Sequence, residues 1–96
     1  MPVFIMYHKW QQENTKAVAR KVIEALANPP EGAAILSSHM RADQTGAVCI
    51  WQAKAPEPLK EWIVRMVPEM GTDIVPALQF FPPSPDIYSI MHVLIS

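Results

Sequence analysis

The run Val3-Phe4-Ile5-Met6-Tyr7-His8 carries large side chains at every position of what reads as a β-strand. A strand in a half-buried antiparallel sheet alternates apolar and polar residues, because one of its faces meets water. Here Val3, Ile5 and Tyr7 point one way, and Phe4, Met6 and His8 the other. Helices cover one such face. In a chain of 96 residues, the expected cover for the second is another copy of the chain. The 50% apolar and 18% charged content fits that expectation, since ordinary globular domains carry about 25% charged residues.

The same composition narrows the function classes. A net charge of -1, with basic residues scattered from Lys9 to Arg65, offers no electrostatic footprint for nucleic acid. One cysteine, Cys49, allows neither an intrachain disulfide nor a cysteine-rich zinc site. No run approaches the roughly 18 apolar residues of a membrane span. Met1 to Tyr7 lacks the basic start and apolar length of a signal peptide. The expected compartment is the cytoplasm, with no cofactor, metal or membrane partner.

Glycine and proline divide the chain into elements. A first strand covers Val3 to His8. A helix follows, with Asn14 or Thr15 as N-cap and Val18, Val22 and Leu26 as its inward stripe. Asn28-Pro29-Pro30 ends it, because a residue before proline avoids the helical region. Strands two (Ala34 to Met40) and three (Ala47 to Gln52) flank a loop at Ala42 to Gly46. Pro56 and Glu57 open a second helix with Leu59, Trp62, Ile63, Met66 and Met70 inward; Pro68 and Gly71 end it. A fourth strand covers Asp73 to Phe81, and Pro76 marks it as an edge or bulged strand. Residues 1–81 thus form one domain. Residues 82–96 form a proline linker and a docked apolar tail. β-branched and aromatic residues in that tail favour an extra C-terminal strand, exchanged between protomers or buried at their interface. Ile87, Ile90, Met91 and Leu94 also fit a short helix capped by Asp86.

The order β-α-β-β-α-β is the ferredoxin-like arrangement of an α+β fold. The segment Leu59-Lys60-Glu61-Trp62 through Gly71-Thr72-Asp73-Ile74-Val75-Pro76 resembles small uncharacterised families of the dimeric α/β-barrel superfamily. That resemblance covers most of residues 1 to 81. It implies a homodimer with paired sheets forming a barrel, and it carries no catalytic residues across.

No phosphate loop, nucleophile elbow, HExxH or CxxC motif is present, so function is argued from faces. A five-residue hairpin loop pairs Arg41 with Ala47, which sets His39 opposite Cys49 and Ser37 opposite Trp51. The more aliphatic set, Leu36, Ser38 and Met40 beside Val48 and Ile50, then goes under the helices, together with Val3, Ile5 and Tyr7. A four-residue loop reverses the assignment, because strand side chains alternate with period two. The expected cleft, on the sheet's open face, holds Phe4, Met6, His8, Ile35, Ser37, His39, Cys49 and Trp51. Trp62 is expected in the core.

This arrangement fits a small homodimer that binds a small apolar organic molecule between its sheets. Three alternatives stand beside it. One is a cofactor-independent monooxygenase-like enzyme using His8, His39 and Trp51, by resemblance of fold. Another is a structural or regulatory interaction module. The third is a tautomerase, since the start Met1-Pro2-Val3-Phe4-Ile5 resembles enzymes in which loss of the initiator methionine exposes a catalytic proline amine.

Overall fold

Residues 1–95 are described by a computed structural model of the chain; Ser96, the last residue of the tail, lies outside them. The elements run β1 (Val3–Lys9), α1 (Thr15–Ala27), β2 (Ala34–Met40), β3 (Gly46–Gln52), α2 (Pro56–Met66), β4 (Gly71–Ala77) and α3 (Pro85–Ile95), with a short 3-10 turn at Gln12–Asn14 before α1. The four strands form one sheet in the order β2-β3-β1-β4, with every neighbouring pair antiparallel. The protein is a small α+β domain.

Local chemistry explains most boundaries. Asn14 occupies the N-cap position of α1, but its side chain makes no capping bond; the Thr15 hydroxyl instead donates to the Gln12 carbonyl at 2.7 Å. Asn28 closes α1, its side-chain amide donating to the Glu24 carbonyl at 3.0 Å. Pro56 starts α2 where a missing N–H is no loss. β4 lies at the sheet edge, where Pro76 is tolerated. It stops at Ala77, opposite Val3, because β1 offers nothing further to pair with; the expected extension to Phe81 is a loop and turn instead.

The hairpin between β2 and β3 corrects the expected face assignment. The Arg41 N–H donates to the Gly46 carbonyl at 2.8 Å, so the loop is the four residues Ala42 to Thr45. Asp43 shapes it, accepting from the Thr45 N–H at 3.1 Å and hydroxyl at 2.7 Å and pairing with Arg41 at 2.6 Å. Losing one loop residue shifts the register. Ser38 stands opposite Cys49, His39 opposite Val48 and Ser37 opposite Ile50, with a bulge between Ile35 and Ser37. His39 is therefore not the partner of Cys49, nor Ser37 that of Trp51.

Strands β1 and β3 are also turned over relative to expectation, whereas Ser38 and Met40 of β2 lie on the helix side as expected. Phe4, Met6, His8, Cys49 and Trp51 lie under the helices, and Val3, Ile5, Tyr7, Val48 and Ile50 lie on the open face. The reason is volume. The space between sheet and helices is filled by the larger groups, led by Trp51, which meets Trp62 of α2 edge-to-face with ring centroids 5.3 Å apart. Trp62 is in the core as expected, its indole N–H donating to the Asn28 carbonyl at 3.0 Å. The β-branched residues form a flatter outer surface.

Gly46 is dictated by close approach. A Cβ there would stand 2.8 Å from the His8 carbonyl oxygen and 2.9 Å from Arg41 Cδ.

The tail is a helix, α3, in place of the expected extra strand. Pro85 begins it and Asp86 falls in its first turn, both favourable at a helix N-terminus. A strand would have needed a sheet edge, whereas a helix satisfies its backbone internally wherever it lies.

Candidate functional site

α1 covers the sheet unevenly. Its N-terminal end is tied to the hairpin through Trp10, whose indole N–H donates to the Gln44 carbonyl at 2.8 Å and lies 3.3 Å from the Thr15 hydroxyl. Its C-terminal end is held by the Trp62–Asn28 bond, and Lys21 reaches Glu69 at 2.6 Å. Among the described residues no hydrogen bond or ion pair joins α1 to β2. A cavity of about 120 Å³ remains between α1 and the sheet.

Its floor is Met6, His8, Cys49 and Trp51, and its roof includes Val18 and Val22 of α1. The gap exists because facing positions are small: Ala19 and Ala25 on the helix, Ser38 and Ala47 on the strands. Four lining residues, Ala19, Leu26, Ser38 and Met40, are exposed, and they place the mouth between α1 and β2. No Lys, Arg, Asp or Glu lines the cavity.

His8 is the buried polar group of the floor. It faces Thr72 across the β1–β4 ladder, and its Nδ1 is 2.9 Å from the Thr72 hydroxyl. Burial lowers its pKa from 6.5 to about 4, so the imidazole is neutral near pH 7. Its other ring nitrogen, Nε2, has no hydrogen-bond partner among the described residues. The second polar element is the Ser38–Cys49 pair, with Oγ 3.2 Å from Sγ. Burial pushes the Cys49 thiol up, and the Ser38 bond opposes this only in part. A thiol kept protonated is a weak nucleophile.

Of the residues expected to form a ligand cleft, Met6, His8, Cys49 and Trp51 come together at this cavity, on the helix side of the sheet rather than its open face. Phe4 is buried in the same core but outside the lining. Ser37 and His39 are on the opposite face, paired with Ile50 and Val48. His8, His39 and Cys49 therefore do not converge. No three His, Cys, Asp or Glu among the described residues could hold a metal ion. Pro2 is exposed and outside the lining.

Sequence reasoning set Ser38 and Met40 under the helices but missed them, and Trp10, as lining groups. Their signal was the shortage of bulk along α1, where Ala17, Ala19, Ala25 and Ala27 leave Val18, Val22 and Leu26 to span the sheet alone. No helix among the described residues is long and apolar enough to cross a membrane.

No curated protein and no solved structure matches the chain. A family profile does match, over residues 2–80, a span that includes the whole sheet, α1, α2 and every residue of the cavity wall but not α3. The chain belongs to the DUF3303 family, a domain of unknown function.

Proposed function

We propose that this protein binds a small, neutral, largely apolar organic molecule in the cavity between α1 and the sheet. The observation that carries this reading is an apolar cavity of about 120 Å³ with a single buried imidazole in its floor. An engineered apolar cavity of roughly 150 Å³ takes up benzene, so this volume suits one aromatic ring. With no charged lining residue and a neutral His8, an ionised ligand would lose its hydration without compensation. A ligand hydroxyl would find an acceptor or donor at His8 Nε2 or at Ser38. Open space of this kind favours binding over a purely structural module.

Ligand-observed NMR and tryptophan fluorescence with toluene, phenol and benzoate test the reading. Toluene and phenol are expected to bind and benzoate is not, and Val22→Phe should abolish binding while the protein stays folded. Failure of every neutral single-ring compound to bind would overturn it.

A second reading, a cofactor-independent enzyme similar to monooxygenases, is favoured by the buried neutral His8 at the cavity floor, a group able to accept a proton from a bound substrate. Turnover that survives His8→Ala would remove it. We further propose a ferredoxin-like fold of the dimeric α/β-barrel kind in a cytoplasmic protein. The strand order, the uncovered apolar sheet face and the unpaired Cys49 support that assignment.

A further inference from the structure

The cavity has a polar group at each end, and the strand register sets how far apart they stand. His8 pairs with Ala47, and Ser38 pairs with Cys49, two residues further along β3. His8 and Ser38 are therefore two strand spacings across and two residues along from each other on one face. At ordinary spacing and rise that puts their Cα atoms about 12 Å apart. The line between them crosses β3 between Ala47 and Cys49, two small side chains, and Ala19 of α1 lines the same space. The space is thus a slot, with buried His8 at its inner end and exposed Ser38 at its mouth.

Both ends can bond a ligand. His8 Nδ1 is taken by the Thr72 hydroxyl at 2.9 Å, whereas Nε2 has no partner among the described residues and is not sealed off by protein atoms. When Nδ1–H donates to Thr72, Nε2 is an acceptor for an aromatic hydroxyl. The Ser38 hydroxyl keeps bonding capacity beyond its 3.2 Å contact with Cys49. A phenol bonded to His8 stops short of Ser38. A ring with an oxygen group at the opposite, para position spans about 11–12 Å from anchor to anchor, counting a hydrogen bond of about 2.8 Å at each end. Oxygens at neighbouring ring positions are too close together to do so.

Resting on the reading that the cavity binds a neutral single-ring molecule, we infer that its ligand is a para-substituted phenol with a second neutral oxygen, an alcohol or ether. The phenolic hydroxyl donates to His8 Nε2, and the second oxygen meets Ser38. That oxygen needs no enclosed volume, since Ser38 is exposed at the mouth. A carboxylate in its place finds no cation in the lining.

Affinities of 4-hydroxybenzyl alcohol, 2-hydroxybenzyl alcohol and phenol, read by tryptophan fluorescence, test the inference. The para compound should bind about 5-fold more tightly than either of the others, the effect of one added hydrogen bond. Ser38→Ala should abolish that preference. Should this variant fail to fold, nuclear Overhauser contacts in the wild-type protein decide. The hydroxymethyl protons are expected beside Ser38 and Met40, and the ring protons next to the phenolic hydroxyl beside His8. Phenol binding with no gain from the para group, a preference unchanged in Ser38→Ala, or reversed contacts would overturn this inference alone. So would binding of toluene but of none of the three phenols. Failure of toluene as well would overturn the cavity reading with it.

Discussion

Ser38 Oγ lies 3.2 Å from Cys49 Sγ, across the β2–β3 ladder and at the wall of the cavity. The contact ties the β2 edge to the core on the side where α1 makes no polar link. It also makes the one cysteine a reporter of the site. Cys49 is buried and its thiol pushed up, so alkylation by iodoacetamide at pH 7 should be slow in the native state and fast in denaturant. Phenol or toluene should slow it further. Rapid native alkylation would show that the wall opens freely.

His8 should make stability depend on pH. Its folded pKa of about 4 is below the unfolded value of 6.5, so protons bind preferentially to the unfolded chain. Above pH 6.5 the group contributes no slope. Between pH 6.5 and about 4 the stability it confers is lost as pH falls, by a total of ~3 kcal/mol. Urea titrations across that window should show the decline, and His8→Gln should remove this part of it.

Trp62 joins α2, α1 and the sheet through Trp51 and Asn28. Trp62→Ala should cost ~3–5 kcal/mol, as expected for a large aromatic removed from a core. Trp62→Phe keeps a ring but leaves the Asn28 carbonyl without its donor, and should cost ~1 kcal/mol more than the packing change alone. Wild-type stability of both variants would show that neither contact is held in solution.

Gly46→Ala tests the four-residue hairpin loop. Its Cβ would have to displace the His8 backbone or Arg41, at a cost of ~1–3 kcal/mol. Gly32 also has a positive φ, of 78°, but has nothing within 4 Å of a Cβ. Gly32→Ala should therefore destabilise only through its backbone conformation. Thermal melts of the two variants separate close approach from backbone strain.

The element order was legible in the residues because its signals are local. Pro29 after Asn28, Pro56 at the start of α2 and the stripe Leu59-Trp62-Ile63 act within a few positions of themselves, and each marks the element where it occurs. That Met6, His8, Cys49 and Trp51 share one face was legible too, since alternation along β1 and β3 groups them whichever way the sheet faces.

Which way it faces was decided only in three dimensions. The hairpin loop is one residue shorter than expected because Asp43 caps Thr45 and Arg41 pairs with Gly46, and that single residue sets Ser38, in place of His39, on the same face as Cys49. Likewise, nothing local to Trp51 says that it will meet Trp62; their contact follows from α2 packing over β3. Period two determines that neighbours are on opposite faces, while the choice of face depends on the volume that distant helices leave to be filled.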